Sequence, residues 1–381
     1  MSEIQIPILI IGAGPAGLAM AGRLRHRQIP FEIIEQEQVV GSTWHRHYDR
    51  LKLHTVKELS HLPHLPFPEN YPRYVSRQQL VDYFDQYAEH FQIKPHFGEK
   101  ALNIRRVGKQ WETTTSTGKS FLSEKVVITT GVNRVPFRPK FPDEKAFSGK
   151  IVHSIHYKNP DPYRGQRVLV IGMGNTGAEI ALDLSENEVE TYISLRGPIN
   201  IVPRDLFGRP TQLTALTLAK LPNWLADFIA IVVRKITIGD LSRYGIKTPK
   251  MPPGKQLRVT GKTPVIDLGT LKAIKEGRIK VLPDIDRFTV EGARFKDGSQ
   301  FPFDAVILAT GYRPRLYEFL PGAENIVDQA GIPEKVIGEG DYAGIYFIGF
   351  DNYTPGGIIG VINRDTEIVA EELAGVVAEK V

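Results

Sequence analysis

The stretch IPILIIGAGPAGLAMAGRLRHRQIPFEIIE, residues 6–35, decides how the whole 381-residue chain is read. Residues 8–11 are a continuous apolar run, as in a buried strand, and they end in Gly12, Gly14 and Gly17. Leu18, Met20 and Leu24 then recur at helical spacing up to a stop at Pro30, and a second apolar strand closes on Glu35. Strand, turn, helix and strand in this register form a nucleotide-binding unit. Gly12 makes the tight turn, Gly14 lets a pyrophosphate approach the backbone, and Gly17 lets helix and strand pack closely. Pro15 and Ala16 open a helix whose N–H groups face the phosphates. Glu35, about twenty residues on, can accept both ribose hydroxyls. Three spaced glycines alone are a weak signal; the flanking strand, helix and terminal acid make it specific.

Residues 167–196 repeat the unit with different contents. A strand over 168–171 runs into Gly172, Gly174 and Gly177, with Asn175 and Thr176 opening a helix over 178–184 and a second strand over 191–195. At the tip of that strand, Ser194, Leu195 and Arg196 stand where the first unit has its acid. A carboxylate there would repel a 2′-phosphate, whereas Ser194 with Arg196 can hold one. The first unit therefore suits FAD and the second NADPH.

Composition bounds the rest. Hydrophobic residues make up 41% and charged residues 24%, which fits a globular chain with two or three cores. Zero cysteines exclude disulfides, thiolate metal ligands and a thiol redox pair, and fit a reducing cytoplasm. No metal site is read. The net charge of +5 is scattered, so anionic cofactors account for it better than nucleic acid does. The chain runs directly into its first strand, without the pattern of a signal peptide. The apolar run 221–233 carries Asn223 and Asp227 and is too short to span a bilayer; a helix covering a cleft or an interface is expected there.

Between these landmarks, Ser42, Thr43 and Trp44 begin a long connection and are expected to line the flavin's ribityl chain and ring. A core helix is expected over 78–91, and a β-meander over 93–121. A return strand over 125–128 ends in Thr129 and Thr130. A second meander is read over 279–303, including a strand at 279–281. A return strand over 305–308 ends in Thr310 and Gly311, both placed beside a cofactor. A last strand over 345–349 and a helix over 366–377 complete the first sheet. The fold expected is α/β, two nested Rossmann-like dinucleotide-binding domains with β-meander insertions. Residues 1–160 and 301–381 are assigned to FAD, and residues 161–300 to NADPH.

Phe147, Gly149, His153 and Tyr157, spaced FxGxxxHxxxY, resemble the signature of flavin-containing monooxygenases. YDRLKLH (48–54), LPFP (65–68), IKPHF (93–97), GKTPVIDLGTL (261–271), RIKVLP (278–283) and LATGY (308–312) resemble the YUCCA-type members of that family, over about residues 6–373. Met173 stands where the family usually has cysteine, and FDNYTPGG (350–357) differs from the family's shorter turn. The resemblance implies a class B flavin-dependent monooxygenase in which NADPH reduces FAD and the reduced flavin forms a C4a-(hydro)peroxide with dioxygen. The expected reaction is oxidative decarboxylation of indole-3-pyruvate, or a related aryl 2-oxo acid, to indole-3-acetate. His54 falls where relatives place the group facing the peroxide, so it is the catalytic candidate, beside the alternative that it only packs on the flavin. Lys57, Arg73 and Arg77 are candidates for a substrate carboxylate. N- or S-oxygenation of small amines and sulfides stays open as an alternative, as does an NADPH reductase or oxidase releasing hydrogen peroxide. The partners expected are a small-molecule substrate and O2, with homo-oligomerisation undecided.

Overall fold

Residues 3–378 are described by the computed structural model, in which each glycine turn ends an inner strand that pairs in parallel with both neighbours, the first in a mixed sheet and the second in a parallel one. The first sheet is built from β1 (Glu3–Ile11), β2 (Glu32–Glu35), β3 (His96–Phe97), β4 (Ala101–Val107), β5 (Gln110–Thr115) and β6 (Ser120–Ile128) in the order β3-β2-β1-β6-β5-β4. The second is built from β7 (Lys150–His153), β8 (Arg167–Ile171), β9 (Glu190–Ser194), β10 (Ile279–Leu282) and β11 (Ala305–Leu308) in the order β10-β9-β8-β11-β7. A last strand, β12 (Ile345–Phe347), returns to pair in parallel with β6.

Helix α1 (Pro15–His26) follows the first turn and buries Leu18, Met20 and Leu24 completely. Each such side chain contributes about 1.5–3 kcal/mol through burial, which holds the phosphate-facing end of the helix in place. Helix α2 (Arg77–His90) is fixed at its start by Ser76, whose side chain accepts from the Gln79 backbone while the Gln79 side chain returns to the Ser76 backbone. Its Leu80, Tyr83, Phe84 and Tyr87 join the same core. In the second domain α3 (Asn175–Ser185) follows the repeated turn. Three helices then form a separate layer: α4 (Thr211–Leu218), α5 (Asn223–Thr237) and α6 (Pro253–Thr260). The chain ends in α7 (Ile358–Ala378), which packs on α1. Among the described residues no helix is long and apolar enough to cross a membrane.

Several boundaries differ from expectation. Residues 279–281 do not belong to the meander: β10 pairs in parallel with β9, and the meander is Ile285–Phe288, Gly292–Phe295 and Gln300–Pro302. Strand β7 was not anticipated, and it pairs with β11. The second sheet therefore takes in residues on both sides of the expected 161–300 segment, and the chain crosses between sheets before 150 and after 308. Helix α7 begins eight residues earlier than the expected 366, directly after the turn at Gly356 and Gly357.

The FxGxxxHxxxY residues hold this crossing together. A Cβ on Gly149 would lie 2.4 Å from the Phe147 ring and 2.6 Å from the Asp304 carbonyl, so only glycine fits beside β11. His153 accepts the Ile155 N–H at Nδ1 and donates from Nε2 to the Gly311 carbonyl at 3.1 Å, the neutral tautomer that burial also favours by lowering its pKa.

Candidate functional site

The two turns repeat one steric device. Gly12 (φ +104°) and Gly172 (φ +98°) adopt a backbone conformation that side chains disfavour. A Cβ on Gly17 would stand 1.8 Å from the Gly12 carbonyl oxygen, and one on Gly177 would stand 1.9 Å from that of Gly172. Gly14 and Gly174 have open space in front of them, and no side chain caps the start of α1 or α3. The orphan N–H groups at each helix start thus face a cleared surface, the arrangement that receives a pyrophosphate. Pro15 and Ala16 form the first turn of α1, and Asn175 and Thr176 that of α3.

At the first turn Glu35 is buried at the tip of β2. Its carboxylate accepts from the Ala13 N–H at 2.7 Å and the Glu37 N–H at 3.0 Å. Burial raises its pKa against those two hydrogen bonds. A carboxylate has about four lone-pair sites, so ribose hydroxyls still find acceptors there. Gly12, Gly14, Glu35, Ser42 and Thr43 line one cavity with Thr129, Thr130 and Arg134. Arg134 carried no motif; it is anchored by Glu318 at 2.9 Å and lies over the Phe319 ring. Trp44 is not among the cavity's residues: its indole meets Phe84 and His47 edge-on and packs against the first core.

The second turn is matched to the first residue by residue through its backbone. Gly12 N–H donates to the Ile34 carbonyl, and Gly172 N–H donates to that of Ser194. Ser194 therefore occupies the place of Ile34, and Leu195 that of Glu35. The Ser194 hydroxyl is buried and donates to the Pro283 carbonyl at 2.6 Å, so the expected phosphate contact from this residue is not prepared. Arg196 is exposed, with no ion-pair partner among the described residues. Thr310 donates its hydroxyl to the Phe137 carbonyl at 2.5 Å, and the Gly311 carbonyl accepts from Phe137 N–H; both brace the return crossing.

Where the domains meet, segment 48–54 of the first grips α3 of the second. Glu179 and Asp183 lie one helical turn apart on α3, 3% and 7% exposed. Glu179 accepts from the Tyr48 hydroxyl at 2.9 Å and lies 3.3 Å from His54 Nε2. Asp183 accepts from the Tyr157 hydroxyl at 2.8 Å and from Arg50 at 3.2 Å. Burial raises the pKa of Asp183 and, with the neighbouring Glu179, that of Tyr48. Nδ1 of His54 has no hydrogen-bond partner among the described residues. A helix with two such acids reads from sequence as a solvated face; only the docking shows that they are buried and satisfied.

Gln212 on α4 links the helical layer to this region. Its Oε1 accepts from Val56 N–H at 2.8 Å and its Nε2 donates to the Gly356 carbonyl at 2.6 Å. The carboxylate candidates are all engaged elsewhere: Lys57 by the Glu69 and Tyr71 carbonyls, Arg73 by Asp205 and Gly208, and Arg77 by Asp49 and His45.

The family model described as flavin-binding monooxygenase-like matches residues 8–333. The chain is 37% identical over 380 residues to an indole-3-pyruvate monooxygenase, YUCCA1, from Oryza sativa subsp. japonica, covering 97% of this chain and 92% of the relative. It is 36% identical over 370 residues to a probable indole-3-pyruvate monooxygenase, YUCCA1, from Arabidopsis thaliana, covering 95% and 88%. A flavin-containing monooxygenase from Stenotrophomonas maltophilia superposes with a TM-score of 0.76 at 22% identity, over 98% of this chain and 99% of that one.

Proposed function

The chain belongs to the flavin-binding monooxygenase-like family, and from that premise we propose that it uses FAD, NADPH and O2 to decarboxylate indole-3-pyruvate, or a related aryl 2-oxo acid, oxidatively to indole-3-acetate. The observation that carries the substrate reading is likeness along nearly the whole length to enzymes named for that reaction. The balance is simple: one oxygen atom of O2 ends in the new carboxylate, the other in water, the 1-carboxyl leaves as CO2, and NADPH supplies two electrons.

Bound flavin supplies the two-electron chemistry with dioxygen. The protein's residues bind and orient. The first turn, α1 and Glu35 hold FAD, with Ser42, Thr43 and Arg134 along the same cavity; the second turn, α3 and Arg196 hold NADPH. The buried ion and hydroxyl network of Tyr48, Arg50, Tyr157, Glu179 and Asp183 fixes the angle between the two sites. His54 belongs to this network through Nε2, which sets its ring orientation and leaves Nδ1 to hold or pass a proton at the reacting end. The cysteine-free composition supports a cytoplasmic assignment.

Product analysis decides the substrate class. Purified holoenzyme given NADPH and air should convert indole-3-pyruvate stoichiometrically to indole-3-acetate and leave a tertiary amine and a sulfide untouched. Conversion of the amine or sulfide alone, or NADPH consumption yielding only hydrogen peroxide, would refute the proposal.

A further inference from the structure

The helical layer encloses a cavity of about 350 Å³ between α4, α5 and α6. That volume lies in the range of small-molecule sites, about 300–1,000 Å³. Its walls are mostly apolar, with Ala215, Leu218, Ala230 and Leu257 among them, and its rim reaches Pro355. The next residue, Gly356, is the one Gln212 ties to the loop after His54. The cavity therefore reaches the loop that Gln212 joins to the stretch after His54.

Three charged side chains face it: Asp227, Arg258 and Arg234. Arg258 donates to Asp227 Oδ2 at 2.8 Å, so this pair cancels. The second oxygen of Asp227 is buried without a hydrogen-bond partner, which makes that end of the cavity inhospitable to another anion. Arg234 is different. It is hydrogen-bonded to Asn200 and has no carboxylate partner among the described residues, so it is the uncompensated charge on the wall. Partial burial lowers its pKa, the expected direction for a guanidinium partly withdrawn from water without an anion beside it. Asp227 and Arg234 lie seven residues apart on α5, about 10.5 Å along the axis, comparable with the length of a bicyclic arene carrying a three-carbon acid.

We infer that this cavity is the substrate chamber and that Arg234 binds the substrate's carboxylate, with the aromatic ring lying along the apolar wall toward the neutralised Asp227–Arg258 pair. The inference rests on the aryl 2-oxo acid reading above and adds the residue that selects an acid. An arginine fork pairs with a carboxylate bidentately, which orients the adjacent keto carbon as well as attracting the anion.

The test measures binding without turnover. Indole-3-pyruvate is titrated calorimetrically into oxidised holoenzyme lacking NADPH, for the unaltered chain, Arg234→Gln, Arg234→Lys and Ala230→Phe. Losing charge-assisted bonds should weaken binding about 10- to 100-fold in Arg234→Gln, with Arg234→Lys recovering part of the loss. Indole-3-acetone, which lacks the carboxylate, should bind Arg234→Gln and the unaltered chain alike. Ala230→Phe fills the cavity without altering charge and should weaken both ligands; it decides the matter if the Arg234 variants fail to fold. Unchanged affinity in Arg234→Gln, or in Ala230→Phe, overturns the inference while leaving the reaction intact. Failure of the unaltered enzyme to form indole-3-acetate, with Arg234-dependent binding preserved, removes the reaction and leaves the acid-binding chamber.

Discussion

Replacing Arg196 by alanine should convert an enzyme that prefers NADPH into one that hardly distinguishes it from NADH. Arg196 stands two residues beyond the serine that closes β9, exposed and unpaired, so its loss disturbs no contact within the protein. One charge-assisted hydrogen bond to a phosphate is worth about 1.5–3 kcal/mol, or about a 10- to 150-fold fall in kcat/KM for NADPH. NADH carries no 2′-phosphate and should lose almost nothing. Ser194→Ala is the informative control, because the Ser194 hydroxyl is committed to the Pro283 carbonyl at 2.6 Å. That variant should lose about 0.5–1.5 kcal/mol of stability and keep the NADPH to NADH ratio. Steady-state kinetics with both nucleotides on both variants give the answer. Equal losses for NADPH and NADH in Arg196→Ala would refute the assignment, and a ratio collapsing in Ser194→Ala would refute the register argument behind it.

Two further outcomes follow from the geometry. Gly17→Ala would place a methyl group 1.8 Å from the Gly12 carbonyl, so the variant should purify with little of the visible flavin absorbance; a normally yellow protein would count against the first turn as the FAD site. His47, half-buried and near Lys158 and Arg77, has its pKa lowered to about 4 from an ordinary 6.5 by desolvation and those cations. The unfolded chain takes up that proton between pH 6.5 and 4 while the folded chain refuses it, so this contribution to stability is complete above pH 6.5 and is lost as the pH falls through that window. The loss is on the order of 3 kcal/mol. Urea unfolding at pH 7 and pH 5 should show His47→Gln with a smaller acid-induced drop than the unaltered chain.

The two glycine turns were legible because each is a local device: strand, sharp turn and helix lie within thirty residues, and the glycine spacing reports a backbone clash that no other residue escapes. Glu35 was legible for the same reason. Ser194 was misplaced because only the ladder shows which residue faces which, and a slip of one position sends a side chain to the opposite face. Strand β7 is four residues long and pairs with a strand about 150 residues away, so nothing near it in sequence announces the partner. Residues 279–281 illustrate the same limit: a short apolar run does not reveal whether its neighbour is parallel or antiparallel. Glu179, Asp183 and Arg234 escaped notice because acids and arginines on helices are usually solvated, and the interfaces that bury the two acids and partly cover Arg234 join segments far apart in the chain. Trp44 was drawn toward the flavin by its neighbours Ser42 and Thr43, but in the short helical turn at Ser42–Arg46 it packs instead against Phe84.

Gln212 fastens one amide to two loops, its oxygen to residue 56 and its nitrogen to residue 356. Both attachments belong to a single rigid plane, so neither can be released by a rotation that spares the other. Any displacement of Gln212 would therefore strain the stretch behind His54 and the bend ahead of α7 together.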